Sequence, residues 1–239
     1  MKLGPPGSFG ARLKALREAA GFTQEELATI AGLSVHVEYA LGNVDAACDR
    51  FMHGLREFRA LAIPWGTGLS LTGLAQVALV TGDAGQAERL LDQATAVLRH
   101  DGPWFLTLGF YVRAKLAVGR RDADGAMAFV RENLTLLRDL QSKTFFYTLV
   151  PLAAAAVLKG EHAFAARIFG VRDGITKSAG VNVVDPSMQD VHETAEGEAR
   201  ARLGPDRWAA AYAAGRKMSI DTLLKDIDRI LQRRSAGES

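Results

Sequence analysis

Gly82-Asp83-Ala84-Gly85-Gln86-Ala87, followed by Leu91 and Ala94, is the stretch whose reading decides the fold. Ala84, Ala87, Leu90, Leu91, Ala94, Val97 and Leu98 recur at three- and four-residue spacing, while Glu88, Arg89, Asp92 and Gln93 lie off that stripe. This is the periodicity of an amphipathic α-helix. Gly82 closes the preceding helix, because glycine enters the left-handed conformation that ends helices at little cost.

The same pattern occurs four times. Gly42-Asn43-Val44-Asp45-Ala46-Ala47 precedes Phe51 and Gly54, Arg121-Asp122-Ala123-Asp124-Gly125-Ala126 precedes Val130, and Gly160-Glu161-His162-Ala163-Phe164-Ala165 precedes Phe169. The turns recur roughly every 40 residues, inside the range of about 20–50 that marks stacked repeats. Alanine early in the second helix lets the two helices of a pair approach closely. The larger residue one turn later fills the groove between neighbouring pairs, and no pair buries its apolar face alone. The third copy has Arg121 where glycine is usual, with Gly119 displaced, which predicts an altered turn there. These residues resemble tetratricopeptide repeats, so an all-α helical-repeat solenoid is expected over 35–175.

Beyond the repeats, Gly174 to Pro186 reads as a loop through Gly180, Asn182 and Pro186. Capping helices are expected over 176–239, near Ser187–Leu203, Pro205–Gly215 and Ser219–Leu231. Pro205 suits a first helical turn after a stop at Gly204, and Ser219 suits an N-cap. Ile220, Leu223, Leu224, Ile227, Ile230 and Leu231 form a stripe that caps the solenoid or, in a sharper reading, joins two copies as a homodimer.

Residues 1–34 carry a second motif. Phe9, Leu13 and Leu16 share a helix face, Thr23 with Glu26 forms a capping box, and Gly32 makes a turn. Thr23-Gln24-Glu25-Glu26-Leu27-Ala28 followed by Ala31-Gly32-Leu33-Ser34 resembles the first two helices of a Cro/repressor-type helix-turn-helix. In that family the next helix reads the major groove. Here Glu38 stands where an apolar core residue is expected, and the segment runs into the first repeat. A partial motif is expected, with Arg12, Lys14, Arg17 and Gln24 as the DNA contacts of an alternative, DNA-binding reading.

The two resemblances combine in one architecture. Ala165-Ala166-Arg167-Ile168-Phe169-Gly170, Leu203-Gly204-Pro205-Asp206-Arg207-Trp208 and Ala213-Ala214-Gly215-Arg216 are similar to the C-terminal repeat region of large bacterial ATPase-type transcription regulators. That resemblance implies the sensor arm of a regulator. The ATPase phosphate loop, Gly-x-x-x-x-Gly-Lys-Ser/Thr, has no counterpart. Gly170 to Ser178 ends in Lys177-Ser178 but has the wrong glycine spacing.

Composition is that of an ordinary globular protein able to bury a substantial core. The 239 residues are 48% hydrophobic and 23% charged, with a formal charge of +2. This is no strongly basic nucleic-acid platform. A single cysteine, Cys48, excludes an internal disulfide and reads as a small buried hydrophobe. No apolar run approaches the roughly 20 residues of a membrane span, so a cytoplasmic setting is expected. His36, His53, His100, His162 and His192 are scattered, without metal-ligand spacing. No catalytic, metal or cofactor residues are assigned. A protein or peptide partner, or a small anionic ligand, is expected in a groove lined by the first helix of each pair. Trp65, Trp104, Phe110, Tyr111, Arg113, Phe146 and Tyr147 are its candidate contacts, with Arg113 foremost and Lys115 adding charge. The plainer alternative packs the aromatics between repeats.

Overall fold

The structure, a computed structural model, describes residues 43–99, 103–140, 145–179 and 185–235. The partial helix-turn-helix, with Arg12, Lys14, Arg17 and Gln24, lies outside the described residues. Ten α-helices and two short 3-10 helices make up the described chain, and no strand occurs among those residues. The helices are α1 (Val44–Ala60), α2 (Pro64–Val80), α3 (Ala84–Leu98), α4 (Pro103–Gly119), α5 (Ala123–Asp139), α6 (Leu149–Leu158), α7 (His162–Ala179), α8 (Gln189–Leu203), α9 (Pro205–Gly215) and α10 (Ile220–Ser235). The 3-10 turns Phe145–Thr148 and Pro186–Met188 lead into α6 and α8.

Each helix packs on the next from α1 to α9. In addition α2 touches α4, α4 touches α6 and α6 touches α8, so these four stand side by side in a row. The row explains their composition. A helix flanked on several sides is apolar all round, and α2 buries residues on every face, as α6 does with Leu149 through Val157. By contrast α1, α3 and α5 alternate buried and exposed positions, as single-faced helices do.

The recurring positions of the sequence pattern are buried. Ala47, Ala87, Ala126 and Ala165 are fully inaccessible, and Phe51, Leu91, Val130 and Phe169 are buried four residues later. Three residues further on, the first two copies have Gly54 and Ala94, but the third and fourth bury Asn133 and Arg172. Asn133 Nδ2 donates to the Thr107 carbonyl on α4 at 2.8 Å. The glycines of α2 act as sockets. A Cβ at Gly66, Gly68 or Gly73 would stand within 2.1–2.3 Å of Phe58, Leu98 and Phe51 respectively, so large side chains of α1 and α3 occupy the space these glycines leave.

One turn is built four times. The amides of Ile63, Asp83, Asp122 and Glu161 donate to the carbonyls of Phe58, Ala78, Ala117 and Ala156 at 2.8–2.9 Å. The preceding residues Ala62, Gly82, Arg121 and Gly160 have φ of 50°, 83°, 58° and 75°. This is a helix C-terminal motif with a left-handed residue. The expectation of an altered third turn is therefore corrected. Arg121 adopts the glycine conformation, and the hydrogen bonds are the same. Asp83 and Asp122 then cap α3 and α5, accepting from the Gln86 and Gly125 amides at 2.8 and 2.9 Å. A non-glycine residue in the left-handed region costs about 1–2 kcal/mol, partly offset by the greater freedom glycine has when unfolded. Arg121→Gly should raise the melting temperature by about 1–4 °C, measured by circular dichroism. An unchanged or lower value would show that the turn is not strained.

The expected loop from Gly174 is also corrected, since α7 continues to Ala179 and crosses position 175. Gly174 is a packing residue. A Cβ there would lie 3.4 Å from the Arg216 carbonyl oxygen, at the end of α9. Gly170 and Gly215 bring the two helices closer still. A Cβ on Gly170 would fall 2.1 Å from the Tyr212 oxygen, and one on Gly215 1.9 Å from the Arg167 oxygen.

At the C-terminal end, Gly204 (φ 74°) stops α8 and Pro205 opens α9. The Ser219 hydroxyl accepts from the Thr222 amide at 3.2 Å as α10 begins. The α10 stripe is covered within the chain. Leu223, Leu224, Ile227 and Ile230 are buried in the same core as Val130, Leu134 and Phe164. Ion pairs flank it, Arg131–Asp228 and Arg138–Asp221 to α5, Arg167–Asp226 to α7, and Arg233–Glu161 to the turn before α7.

Candidate functional site

The row of α2, α4, α6 and α8 leaves a cleft of about 350 Å³ where α4 ends and α6 and α8 pass. Ala154, Val157 and Leu158 of α6 line it, with Val118 and Arg121 from the α4 end and Asp190, Val191, Thr194, Ala195 and Glu198 from α8. The sequence makes this floor smooth, because α6 carries Ala153-Ala154-Ala155-Ala156 and no long polar side chain between Leu149 and Leu158. Asp190, Thr194 and Glu198 are four residues apart on α8 and so share a helix face.

A buried polar network ties the two sides of the cleft together. The Lys115 ammonium on α4 donates to Asp185 Oδ2 at 2.8 Å and to Ser187 Oγ at 2.6 Å. The Tyr111 hydroxyl donates to the same Asp185 oxygen at 2.7 Å. Asp185 Oδ1 accepts from the Ser187 amide at 2.9 Å and its hydroxyl at 2.7 Å, capping the turn that opens α8. The side chains of Lys115 and Asp185 are only 5% and 15% exposed, so water screens this pair little. Burial pulls the Lys115 ammonium below its ordinary pKa, against the opposing pull of Asp185. Burial also pushes the Asp185 carboxyl upward, but the Lys115 charge and the hydrogen bonds from Lys115, Ser187 and Tyr111 outweigh it and hold the group low.

Of the candidate contacts, Tyr111 and Tyr147 meet edge to face with centroids 5.0 Å apart, beside Lys115, whose Nζ is 5.4 Å from the Tyr111 ring. Trp65 stacks on Phe105 at 5.7 Å and packs on Phe58 at 5.3 Å, joining α2 to α4 and α1. Phe110 is half-buried on α4. Trp104 and Phe146 belong to α4 and to the turn before α6, and their side chains lie outside the described residues. Arg113 stands apart from the Tyr111–Lys115 group. It donates to Asp92 at 2.7 Å and Thr95 at 3.3 Å on α3, with its guanidinium 5.8 Å from the Phe129 ring on α5. Sequence reasoning missed the α8 residues Asp190, Thr194 and Glu198. Their spacing on one face was the available sign.

A second polar group lies where α7, α8 and α9 meet. His192 sits edge-on to Phe169 at 5.2 Å, with Glu196 3.6 Å from Nε2. Burial, and then the charge of Arg172, lower its pKa. An imidazole disfavoured as a cation in the folded state binds its proton more readily when unfolded. Its stabilising share is whole above about pH 6.5 and is lost as pH falls below that. The melting temperature should therefore decline between pH 7.5 and 5.5, and His192→Phe should flatten that part of the profile. An equal decline in the variant would assign it elsewhere.

The Cys48 thiol is half-buried and contacts the Met52 sulfur at 4.0 Å. Burial first, then Asp49 and Asp45, push its pKa up, the opposite of thiolate activation. Among the described residues no cluster of His, Cys, Asp and Glu is placed to hold a metal ion, and no helix is long and apolar enough to cross a membrane. Set against known protein families, curated proteins and solved structures, the chain gives no match.

Proposed function

We propose that this chain is a helical-repeat solenoid of tetratricopeptide-like pairs that binds a protein or peptide segment, in the manner of the sensor arm of a transcription regulator. The reading rests on the row formed by α2, α4, α6 and α8 and on the cleft that three of these helices leave open. Its floor is apolar, its rim is polar, and it is shaped by secondary structure rather than by loops. Such a surface suits recognition by shape and charge. The volume of about 350 Å³ is at the low end for a ligand site and fits the side chains of one stripe of a bound helix.

Helical peptides selected from a display library on the whole chain supply the test. Binders should lose affinity for Thr194→Trp, which places an indole on the exposed rim of the cleft. Retained affinity in that variant, with helicity unchanged, would put the binding surface elsewhere.

A further inference from the structure

The charges around this cleft are sorted by wall. Arg121 rises from the α4 end on one side of the α6 floor, and Asp190 and Glu198 stand on α8 on the other. All three are exposed. Their side chains make no hydrogen bond or ion pair with the described residues. Many other charged groups are spoken for, including Arg113, Arg120, Arg131, Arg167 and Arg200.

Arg121 carries a further mark. Equivalent turns at Gly82 and Gly160 use glycine for the left-handed residue, yet this turn holds an arginine at φ 58° with the same hydrogen bonds. Non-glycine residues in that region concentrate at functional sites. Two of the four turns hold a non-glycine residue there, Ala62 and Arg121, and Arg121 is the one of the two that lines the cleft.

We infer that the cleft takes an amphipathic helix of a partner protein with an aliphatic stripe, acidic residues along one edge and basic residues along the other. The aliphatic side chains rest on Ala154, Val157 and Leu158, the acidic edge faces Arg121, and the basic edge faces Asp190 and Glu198. Opposite charges on opposite walls fix the direction of the bound helix. A helix turned end for end presents each edge to the like-charged wall. This rests on the peptide-binding reading above and adds to it the chemistry of the partner and its orientation.

Three labelled helical peptides with one leucine stripe test it by fluorescence anisotropy on the whole chain at low salt. Their edges are Glu and Lys, Glu and Glu, or Lys and Lys. The mixed peptide should bind about tenfold more tightly than either other, as a few exposed ion pairs allow, and the gap should shrink in high salt. Arg121→Glu keeps a non-glycine residue in the turn, so its strain is matched. It should shift the preference to the Lys-and-Lys peptide. The double variant Asp190→Lys, Glu198→Lys should shift it to the Glu-and-Glu peptide. Thermal melts of both variants establish that they fold. Should binding be abolished by Thr194→Trp while the charge reversals leave the ranking unchanged, the inference about the partner is overturned and the cleft reading stands. Should no peptide bind, or should Thr194→Trp bind all three like the wild type, both are overturned.

Discussion

Gly215→Ala and Gly170→Ala should each destabilise the chain by more than about 3 kcal/mol, and the pair of changes should cost less than the sum. The contacts at stake are backbone, since a methyl at Gly215 meets the Arg167 oxygen at 1.9 Å and one at Gly170 meets the Tyr212 oxygen at 2.1 Å. A carbonyl inside a helix cannot rotate away as a side-chain tip can. Relief requires α7 and α9 to separate, uncovering Phe169 and Trp208, whose rings lie 5.9 Å apart. Overpacking commonly costs about 1–3 kcal/mol, and a clash of two helix backbones belongs above that range. Both single changes force the same separation, so their effects are coupled. Gly197→Ala on the exposed face of α8 is the control, since a Cβ there meets nothing within 4 Å. It should be neutral or slightly stabilising, because alanine favours helix. Urea unfolding measures all four proteins. A loss at Gly215 no larger than 1 kcal/mol would show that the helices part easily.

Lys115→Met should cost about 3–5 kcal/mol at neutral pH, because removing one partner leaves the other charge buried. Asp185 would remain with Tyr111 and Ser187 but without its cation. Its carboxyl would then titrate above the unfolded value, making the variant relatively better at pH 4 and worse as pH rises through the new folded pKa. In the wild type the sign is reversed. Asp185 is held low, so its contribution is present above the unfolded carboxylate pKa and lost as pH falls through the folded one. Asp185→Asn retains an acceptor for the Ser187 amide while removing the charge. Lys115→Met combined with Asp185→Asn should recover a large part of the loss, because two well-shaped neutral groups replace an ion pair at little cost. A coupling below about 0.5 kcal/mol in this cycle would reduce the pair to an ordinary surface contact. Because the network opens α8, Lys115→Met should also weaken peptide binding in the cleft.

These two sites mark the boundary of what was legible in the sequence. The helical phase, the turns at Gly82, Arg121 and Gly160, the stop at Gly204 and the α10 stripe all follow from spacing within one or two helices, and spacing is what a sequence displays. The turn at Ala62 was not read, and the one read at Gly42 lies outside the described residues. The motif Ala165 to Gly170 and the motif Ala213 to Arg216 were both visible, yet nothing local says that Gly170 and Gly215 meet. The segment from Gly174 was read as a loop on the strength of Gly180, Asn182 and Pro186, whereas Gly174 lies within α7 and admits the end of α9. Arg113 and Lys115 were both placed in one groove, although residues two apart on a helix point to different sides. Accordingly Arg113 reaches α3 and Lys115 reaches the start of α8. The Lys115–Asp185 contact joins residues 70 apart, which no periodicity encodes. Conversely, Arg121 was noticed as an anomaly in the repeat, and the cleft gave that anomaly a place.

The docking of α10 on α5 has a consequence for how the chain is made. Arg131 and Asp228, which meet across that contact, are 97 residues apart. At about 5–20 residues per second, a ribosome needs roughly 5–20 s to pass from one to the other. During that interval α1 to α9 can pair with their neighbours as they emerge, but among the described residues it is α10 that covers the side of α5 on which it docks. The nascent chain therefore carries a greasy strip until α10 is synthesised.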